Sequence, residues 1–410
     1  MENYNYAKID KHQMARMNKQ TVMRCIADNG PINRAAIARH VGLSIPSVMQ
    51  ITDELLEHRM IVSRMTTEAK PGKKAELLSV SGEHHRFVGV DIGRTTIRIA
   101  VVGLDRRPIY TLKFPTSAVE QPSVFVDRVC KGIHRALDES KIDLDTVVGV
   151  CVAMPGLIEE GTGRVLFSPN FGWKNVPLQR WMNERLPYQA IVENANRAQG
   201  MWEVCTHPED MQKNVVCMGL GYGIGGAFLQ RGKLFYGASG TSGELGHITV
   251  SHQHVPCTCG NYGCLEAMAS GAALARQAKA AVDEGRDTLI RELAGERDSI
   301  EAKTVFDAAK AGDALALELL DTAAEYIGTA LGTVINILDP DVIYLCGGMM
   351  RNGDRFLRQI QDATMRRQMT EAGRRVVIRV GSLQEWNVAL GATQVVPYYE
   401  WKSERMSFLR

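Results

Sequence analysis

The chain has 410 residues, of which 45% are hydrophobic and 23% are charged, and its formal net charge is +2. This length exceeds what one hydrophobic core normally organises, so we expect two or three domains of ordinary globular composition. Because no apolar run reaches membrane-spanning length and residues 1–11 are polar, the sequence predicts a soluble, unsecreted, cytoplasmic protein without membrane contact.

Three short helices are predicted at the N-terminus. They cover residues 18–29, 34–41 and 45–60, where apolar residues recur at helical spacing. Asn33 and Ser44 can cap the second and third helices, because their side chains accept hydrogen bonds from free backbone N–H groups. Three short helices with a glycine between the second and the third are typical of a helix-turn-helix.

The third helix is the candidate recognition helix. Val48, Ile51 and Leu55 are predicted to form its inward face. Short polar side chains on the opposite face could reach base edges in the major groove of double-stranded operator DNA. The candidates for this contact are Ser44, Ser47, Gln50 and Thr52.

A basic hairpin follows the helices. Residues 61–65 and 75–80 read as two strands, and the turn between them carries Lys70, Lys73 and Lys74, which suit phosphate or minor-groove contact. Residues 1–85 hold 12 Lys and Arg against 9 Asp and Glu, a modest positive excess. We therefore predict a winged helix-turn-helix DNA-binding domain over residues 1–82. The alternative is a small helical appendage that packs on the rest or mediates assembly.

The remainder of the chain is predicted to be a duplicated α/β structure. Residues 87–101 read as a strand, a tight turn and a second strand, and a similar unit recurs at residues 215–228. Each unit opens a block of alternating strands and helices. This repetition predicts two α/β lobes with a cleft between them.

The motifs in these lobes resemble those of the ROK family (repressors, open reading frames and kinases), and within it the longer repressor branch with an N-terminal winged helix. The resemblance implies a two-lobed, actin-like or ribonuclease H-like sugar-kinase fold. It also implies a first lobe over residues 83–196, completed by a C-terminal helix at about 387–410, and a second lobe over residues 197–386. The matching motifs are Asp91-Ile92-Gly93, Pro155-Gly156, Asn170 with Trp173, Ala195-Asn196, Glu244 to His247, Cys257 to Glu266, Asp339-Pro340, Gly347-Gly348 and Ala389 to Ala392.

Three of the nine cysteines form a tight group at Cys257, Cys259 and Cys264, and His247 lies upstream. One imidazole and three thiolates are the ligand set of a closed structural Zn²⁺ site, with no open position for a reactive water. The other cysteines are scattered, which argues against a disulfide framework. The alternative for the tight group is a loop of reduced thiols.

The family resemblance also implies a sugar site. It assigns Glu244, His247 and Glu266 as hydrogen-bond partners of sugar hydroxyls, and it places Glu193 and Asn194 in the same site. Charged acceptors bind hydroxyl donors strongly, and a metal-pinned loop would lower the ordering cost on binding. The alternative is that Glu244 and Glu266 are solvated loop carboxylates.

The kinase chemistry of the family is predicted to be lost. Family kinases carry an aspartate as general base where Asn194 stands here, and an amide is not a proton acceptor near neutrality. A one-residue shift in the alignment also offers no aspartate, although it leaves Glu193 nearby as a substitute. Arg94 and Tyr222 replace small residues in the two phosphate loops and would obstruct phosphate.

The sequence therefore predicts a sugar-responsive, nucleoid-associated repressor. A homodimer or tetramer would present two recognition helices to a pseudo-palindromic operator, with half-sites about 10 bp apart, and a sugar inducer in the cleft would release it. One alternative is a sugar kinase with an accessory DNA-binding arm. Another is regulation by a protein component of a transporter in place of a sugar.

Overall fold

The structure, a computed structural model, begins with three helices and a two-stranded antiparallel sheet. This is the element order of a winged helix-turn-helix. The described residues are 11–65, 76–117, 120–369 and 376–402. The elements of this N-terminal unit are α1 (Lys11–Asn29), α2 (Arg34–Val41), α3 (Ile45–Glu57), β1 (Ile61–Met65) and β2 (Glu76–Val80).

Helices α2 and α3 begin where the sequence predicts. The side chain of Asn33 accepts a hydrogen bond from the Ala36 N–H at 2.8 Å, and that of Ser44 accepts one from the Ser47 N–H at 3.3 Å. Gly42 ends α2 in the left-handed conformation, with φ of 69°, which glycine adopts without steric cost. Local capping chemistry therefore determines these boundaries.

Two boundaries differ from the prediction. Helix α1 is already helical at Lys11, before the predicted start at Asn18, and α3 ends at Glu57 instead of continuing to residue 60. Arg59 takes a left-handed conformation, with φ of 54°, and this turns the chain so that Met60 is buried. The burial of Met60 in the core of the unit outweighs the helical pattern of the sequence.

The first lobe is built on a five-stranded mixed sheet with the strand order β10-β6-β3-β4-β5. Strands β4 and β5 run antiparallel to their neighbours, whereas β6 and β10 run parallel to β3. A separate three-stranded sheet, β7-β8-β9, covers one side. The elements are β3 (Arg86–Ile92), β4 (Thr96–Gly103), β5 (Pro108–Pro115), α4 (Pro122–Ser140), β6 (Val147–Met154), β7 (Leu157–Ile158), β8 (Val165–Ser168), β9 (Trp173–Val176), α5 (Leu178–Asn183) and β10 (Ala190–Asn194).

The second lobe repeats this plan with the strand order β13-β12-β11-β14-β15. Strand β12 is antiparallel to β11. On the other side of β11, strand β14 is parallel to β11, and β15 is parallel to β14. The elements are α6 (Ala195–Thr206), β11 (Asn214–Leu220), β12 (Ile224–Gln230), β13 (Lys233–Leu234), α7 (Leu265–Ala269), α8 (Gly271–Asp283), α9 (Leu289–Ala294), α10 (Ala302–Lys310), α11 (Ala314–Leu338), β14 (Val342–Cys346), α12 (Asp354–Met365) and β15 (Val377–Val380). The chain then returns to the first lobe in α13 (Asn387–Lys402).

Helices α6 and α13 lie between the two sheets. They pack on each other, and α13 also packs on β3 and β6 of the first lobe. The approach is close: a Cβ at Gly89 would lie 1.9 Å from the Ala389 carbonyl oxygen, and a Cβ at Gly391 would lie 1.9 Å from that of Ala198. Only glycine fits at either position, so these two residues hold the central helices against the first sheet and against each other.

None of the helices in the described residues is both long enough and apolar enough to cross a lipid bilayer.

Candidate functional site

Four metal-ligating side chains converge in the second lobe. They belong to His247, Cys257, Cys259 and Cys264, and their ligand atoms all lie within 4.8 Å of one another. The sulfur atoms of Cys259 and Cys264 are 3.7 Å apart, and Cys257 Sγ is 3.5 Å from His247 Nδ1. The grouping predicted from the spacing of these residues is confirmed.

Tight turns bring the cysteines together. The Cys257 N–H donates to the Asn261 carbonyl at 2.8 Å, and the Gly260 N–H donates back to the Cys257 carbonyl at 3.0 Å. Gly263 has φ of 65°, and a Cβ there would lie 2.0 Å from the Ser251 carbonyl oxygen. The short turn ending at Cys264, the residue before α7, therefore requires glycine.

A cation would stabilise the thiolate forms of the clustered cysteines. Burial, together with the neighbouring cysteine side chains, raises the pKa of the Cys264 thiol to about 12. Three thiolates this close would repel one another unless a positive ion lay between them. The four side chains can therefore hold a metal ion, and the local turns position them for it.

Two carboxylates border the cluster. Glu244 Oε2 lies 3.8 Å from His247 Nε2, on the side of the ring opposite Cys257. Burial raises the pKa of Glu244, and the charge of Glu266 adds to this effect, while His247 and Arg197 oppose it. The structure thus brings together three of the predicted sugar ligands, Glu244, His247 and Glu266, beside the metal-ligating cluster.

Glu266 also supports the backbone of the second phosphate loop. Its Oε2 accepts a hydrogen bond from the Ile224 N–H at 2.9 Å. A Cβ at Gly223 would lie 2.5 Å from the same oxygen, so the turn between β11 and β12 passes directly over this carboxylate. Glu266 therefore links the predicted sugar site to the loop that carries Tyr222.

Glu193 does not contribute to this group. It is 1% exposed, and its carboxylate accepts hydrogen bonds from Arg197 at 3.2 Å, from the Tyr236 hydroxyl at 2.7 Å and from the Tyr399 hydroxyl at 3.4 Å. The Asn194 N–H is a further donor, at 2.7 Å. Because internal donors satisfy both carboxylate oxygens, the geometry does not favour the predicted role of Glu193 as a sugar contact.

Asn194 caps helix α6. Its Oδ1 accepts hydrogen bonds from the backbone N–H groups of Asn196 at 2.8 Å and Arg197 at 3.4 Å. Its Nδ2 donates to the Gly156 carbonyl at 2.9 Å. The residue is 7% exposed, so most of its hydrogen-bonding capacity is used to join the end of β10 to the start of α6.

The two substituted phosphate-loop residues contact each other across the cleft. The guanidinium of Arg94, from the first lobe, stacks over the ring of Tyr222, from the second lobe, at 4.1 Å from the ring centroid. Both belong to the lining of a cavity of about 830 Å³ that α8 and α10 also border. Sequence reasoning flagged both positions as departures but did not foresee this contact.

Asp91, in the first phosphate loop, is paired within the protein. Arg98 Nη1 lies 3.4 Å from its Oδ2, and Glu385 lies 3.4 Å from Arg98 Nε. Burial raises the pKa of Asp91 to about 6, although Arg98 opposes the shift. Sequence analysis missed Arg98. The available signal was its place in the predicted β-hairpin, because Arg98 of β4 lies directly opposite Asp91 of β3.

The candidate recognition helix presents three of its four predicted contacts. Ser44 and Gln50 are exposed, Ser47 is partly exposed, and the hydroxyls of Ser44 and Ser47 lie 2.8 Å apart. Thr52 is fully buried, and its Oγ1 accepts a hydrogen bond from Arg34 Nε at 2.8 Å. The prediction that Thr52 points outward is wrong, because it follows Val48 by one helical turn and shares its face.

The remaining predicted DNA contacts, Lys70, Lys73 and Lys74, lie outside the described residues. Strands β1 and β2, which flank that segment, pair antiparallel, with Ile61 opposite Val80.

A partly buried cluster of charged side chains joins the N-terminal unit to both lobes. Arg106, in the turn between β4 and β5, donates to the Cys205 carbonyl at 2.8 Å and lies 3.8 Å from Asp28 of α1. Arg24 lies 3.8 Å from the same carboxylate, and a Cβ at Gly232 would approach Arg24 Nη2 to 2.6 Å. Burial raises the pKa of the Asp28 carboxyl, and the positive charges of Arg106 and Arg24 oppose this shift. We call Arg24, Asp28 and Arg106 the joint.

The architecture defines a class of protein: a winged helix-turn-helix attached to a two-lobed, actin-like sugar-kinase fold. Within this class, the chain belongs to the ROK family, whose model matches residues 87–398.

The chain is similar to some proteins over nearly its whole length and to others over about two thirds of its length. A xylose repressor of Caldicellulosiruptor bescii is 27% identical over 388 residues, which cover 93% of this chain and 96% of that protein. A glucokinase of Halalkalibacterium halodurans is 32% identical over 276 residues, which cover 67% of this chain and 84% of that protein.

A solved structure of a ROK-family transcriptional regulator, a homologue of the Escherichia coli Mlc protein, superposes with a TM-score of 0.82. Its sequence is 25% identical, and the match covers 97% of this chain and 99% of that one. The likeness to this regulator therefore extends over the N-terminal unit as well as both lobes.

Proposed function

We propose that this protein is a sugar-responsive transcriptional repressor of carbohydrate uptake or catabolism genes. The single observation that carries the proposal is the attachment of a winged helix, through the joint, to a kinase-like cleft that keeps hydroxyl-binding groups. The near full-length similarity to a xylose repressor supports it. This function implies a cytoplasmic location.

Helix α3 would enter the major groove of the operator. Ser44, Ser47 and Gln50 are its candidates for contact with base edges. Thr52 has a different role: through its hydrogen bond it holds Arg34 against α3, where Arg34 also lies 2.8 Å from Asp53. The wing lysines would add salt-dependent phosphate contacts.

The metal-ligating cluster would hold a structural zinc ion. Tetrahedral zinc separates two thiolate sulfurs by about 3.8 Å and a sulfur from an imidazole nitrogen by about 3.5 Å, and the structure has 3.7 Å and 3.5 Å. The three thiolates and His247 would hold the ion, which would offset most of the thiolate charge and tie His247 to the turn before α7. Glu244 Oε2, 3.8 Å from His247 Nε2, would lie beside the imidazole on the side away from the metal.

The sugar would bind beside this cluster, through Glu244, Glu266 and the part of His247 that the metal leaves accessible. Carboxylates accept strong hydrogen bonds from hydroxyl groups. Because the zinc-bound turns already hold these residues, the sugar would order little of the protein on binding.

Phosphoryl transfer is disfavoured by three features. The carboxamide of Asn194 caps a helix and offers no proton acceptor to an attacking hydroxyl. Arg94 and Tyr222 stack where the two phosphate loops approach each other, and Asp91 is paired with Arg98. We therefore propose that the protein senses sugar without phosphorylating it.

The proposal is tested by fluorescence anisotropy with full-length protein. Duplex DNA selected by the protein from a random pool serves as operator, and a thermal-shift screen of hexoses, pentoses and N-acetylated sugars supplies the inducer. We expect Gln50→Ala to weaken specific DNA binding by about 10-fold or more, and the exposed control Gln121→Ala to have no effect. Absence of DNA binding by the wild-type protein would refute the proposal. Intact DNA binding with no responsive sugar would instead point to control by a protein partner, such as a transporter component.

A sugar kinase with an accessory DNA-binding arm is the second candidate. It is favoured by the 32% identity to a glucokinase over both lobes. A coupled ADP-release assay over the same sugar panel separates the two, because only the kinase shows turnover above that of protein-free controls.

A further inference from the structure

Two exposed apolar side chains lie on the candidate recognition helix α3. Ile45 is 51% exposed and Met49 is 47% exposed. Because they are four residues apart, they occupy neighbouring positions on the helix surface. The core of the N-terminal unit uses the buried Val48 and Leu55 of the same helix. We call Ile45 and Met49 the apolar pair.

The hydroxyl groups beside the apolar pair are used within the helix. Ser44 Oγ accepts a hydrogen bond from the Ser47 N–H at 3.3 Å, and the two hydroxyl oxygens are 2.8 Å apart. These contacts cap α3 and reduce the capacity of both serines to bind a base edge. Gln50, which is exposed, is the remaining polar candidate. The surface that α3 offers to a DNA groove is therefore apolar as much as polar.

The charges around the apolar pair are complementary to DNA. Residues 29–52 contain two arginines, Arg34 and Arg39, and no aspartate or glutamate. Arg39 is exposed at the end of α2, whereas Arg34 is paired with Asp53 at 2.8 Å. Asp53 is the first of three acidic residues in the second half of α3. Phosphates are attracted to the segment before α3 and repelled by its second half, so the helix presents its first half to DNA.

The major groove offers one apolar group to such a surface, the C5 methyl group of thymine. The rest of each base edge consists mainly of hydrogen-bond donors and acceptors. An apolar side chain placed against those groups would displace water without replacing its hydrogen bonds. An isoleucine and a methionine on a helix in the groove consequently have one favourable partner.

We propose that Ile45 and Met49 recognise thymine in the operator half-sites through contact with its C5 methyl group. The inference rests on the proposed function and supplies a base-specific part of it. Gln50 has a separate role, because it acts on the hydrogen-bonding edges of the bases, which are the same with and without the methyl group.

The test uses duplexes that differ only in this methyl group. In the operator selected from a random pool, deoxyuridine replaces thymine, first throughout both half-sites and then one position at a time. Uracil keeps the O4 acceptor and the pairing with adenine. Fluorescence anisotropy with full-length protein gives the Kd of each duplex. We expect the selected half-sites to contain thymine and the wild-type protein to bind the fully substituted duplex at least about 10-fold more weakly, with about 4-fold for each methyl group in contact.

Variants of the apolar pair assign the contact to α3. The double variant Ile45→Ala/Met49→Ala should bind the thymine operator about 10-fold more weakly than the wild type and should bind thymine and deoxyuridine duplexes equally. Gln50→Ala should also bind more weakly but keep the wild-type ratio between the two duplexes. Leu293→Ala is the matched apolar control, because Leu293 is 55% exposed on α9; it should bind both duplexes like the wild type. Alanine favours helix, and circular dichroism checks that each variant is folded.

Equal binding of thymine and deoxyuridine duplexes by the wild-type protein would overturn the inference and leave the proposed function intact. A folded double variant that keeps the wild-type ratio would also overturn it, because another element would then contact the methyl groups. Failure of the wild-type protein to bind any DNA is a distinguishable result, which would remove the proposed function together with this inference.

Discussion

The carboxylate of Glu193 shows how a residue's surroundings decide its role. The sequence places it in a sugar-binding motif, yet one arginine and two tyrosines enclose it and Arg197 is its ion-pair partner at 3.2 Å. No sequence pattern predicts this enclosure, because Tyr236 and Tyr399 reach Glu193 from elements far apart in the chain. By contrast, the metal ligands could be predicted, since three of the four lie within eight residues.

Breaking the Glu193–Arg197 pair should be costly. We expect Glu193→Gln to lower the free energy of unfolding by about 3 kcal/mol, because it leaves a buried guanidinium without its counter-charge. Urea denaturation measures the loss. Glu184→Gln is the control, since Glu184 forms an exposed pair with Arg180 that is worth little. Equal stability of the two variants would contradict the structural role of Glu193.

Metal content tests the cluster directly. We expect about one zinc ion per chain by elemental analysis, and Cys257→Ser should reduce metal affinity by more than about 100-fold. Sugar affinity should fall with it, because the ordered turns would be lost. The buried Cys130 does not face the cluster, so Cys130→Ala should retain the metal. Full zinc content in Cys257→Ser would disprove the assignment.

Asp91 should make stability depend on pH. Its pKa, raised by burial to about 6, exceeds its value of about 3.9 in an unfolded chain. The folded state therefore holds this proton more tightly, and the associated stability is lost as the pH rises through 6. Relative to the wild type, Asp91→Asn should gain about 1.3 kcal/mol between pH 5 and pH 7.

Urea denaturation at pH 5, 6 and 7 measures this gain. Asp287→Asn, at an exposed position, should follow the wild-type trend. An Asp91→Asn variant with the same pH dependence as the wild type would contradict the prediction.

The N-terminal helices show what the sequence predicts at the scale of elements. The starts of α2 and α3 could be predicted because Asn33 and Ser44 cap them through bonds within three residues. The end of α3 and the inward face of Thr52 could not, because both depend on packing against other elements. The joint was missed for the same reason: α1, the β4–β5 turn and the end of α6 meet only in the folded chain.

The joint should carry the signal between cleft and DNA. We expect Arg106→Ala to leave sugar affinity unchanged but to reduce the effect of sugar on operator binding, whose coupling free energy is typically about 1–3 kcal/mol. Anisotropy with and without saturating sugar measures that coupling. Arg107→Ala is a close control, because the adjacent Arg107 side chain is 87% exposed. Undiminished coupling in Arg106→Ala would exclude the joint as the route.

At the scale of the whole molecule, the packing of α6 and α13 joins the two lobes, and specific polar contacts connect the lobes to each other and to the DNA-binding unit. Arg94 and Tyr222 bridge the lobes, and the joint connects both lobes to α1. A sugar that binds one arrangement of the lobes more tightly than the other would therefore shift α1 as well. A nearly complete switch from 1:99 to 99:1 requires about a 10⁴-fold difference in sugar affinity between the two arrangements.

The most direct measurement follows DNA release and ATP consumption in one sample. Full-length protein bound to labelled operator is titrated, in the presence of ATP and Mg²⁺, with a sugar selected by thermal shift. The account predicts that sugar releases the DNA while ADP stays at the level of a protein-free control. Accumulation of sugar phosphate in excess over protein, or DNA binding that is indifferent to a sugar that binds, would contradict it.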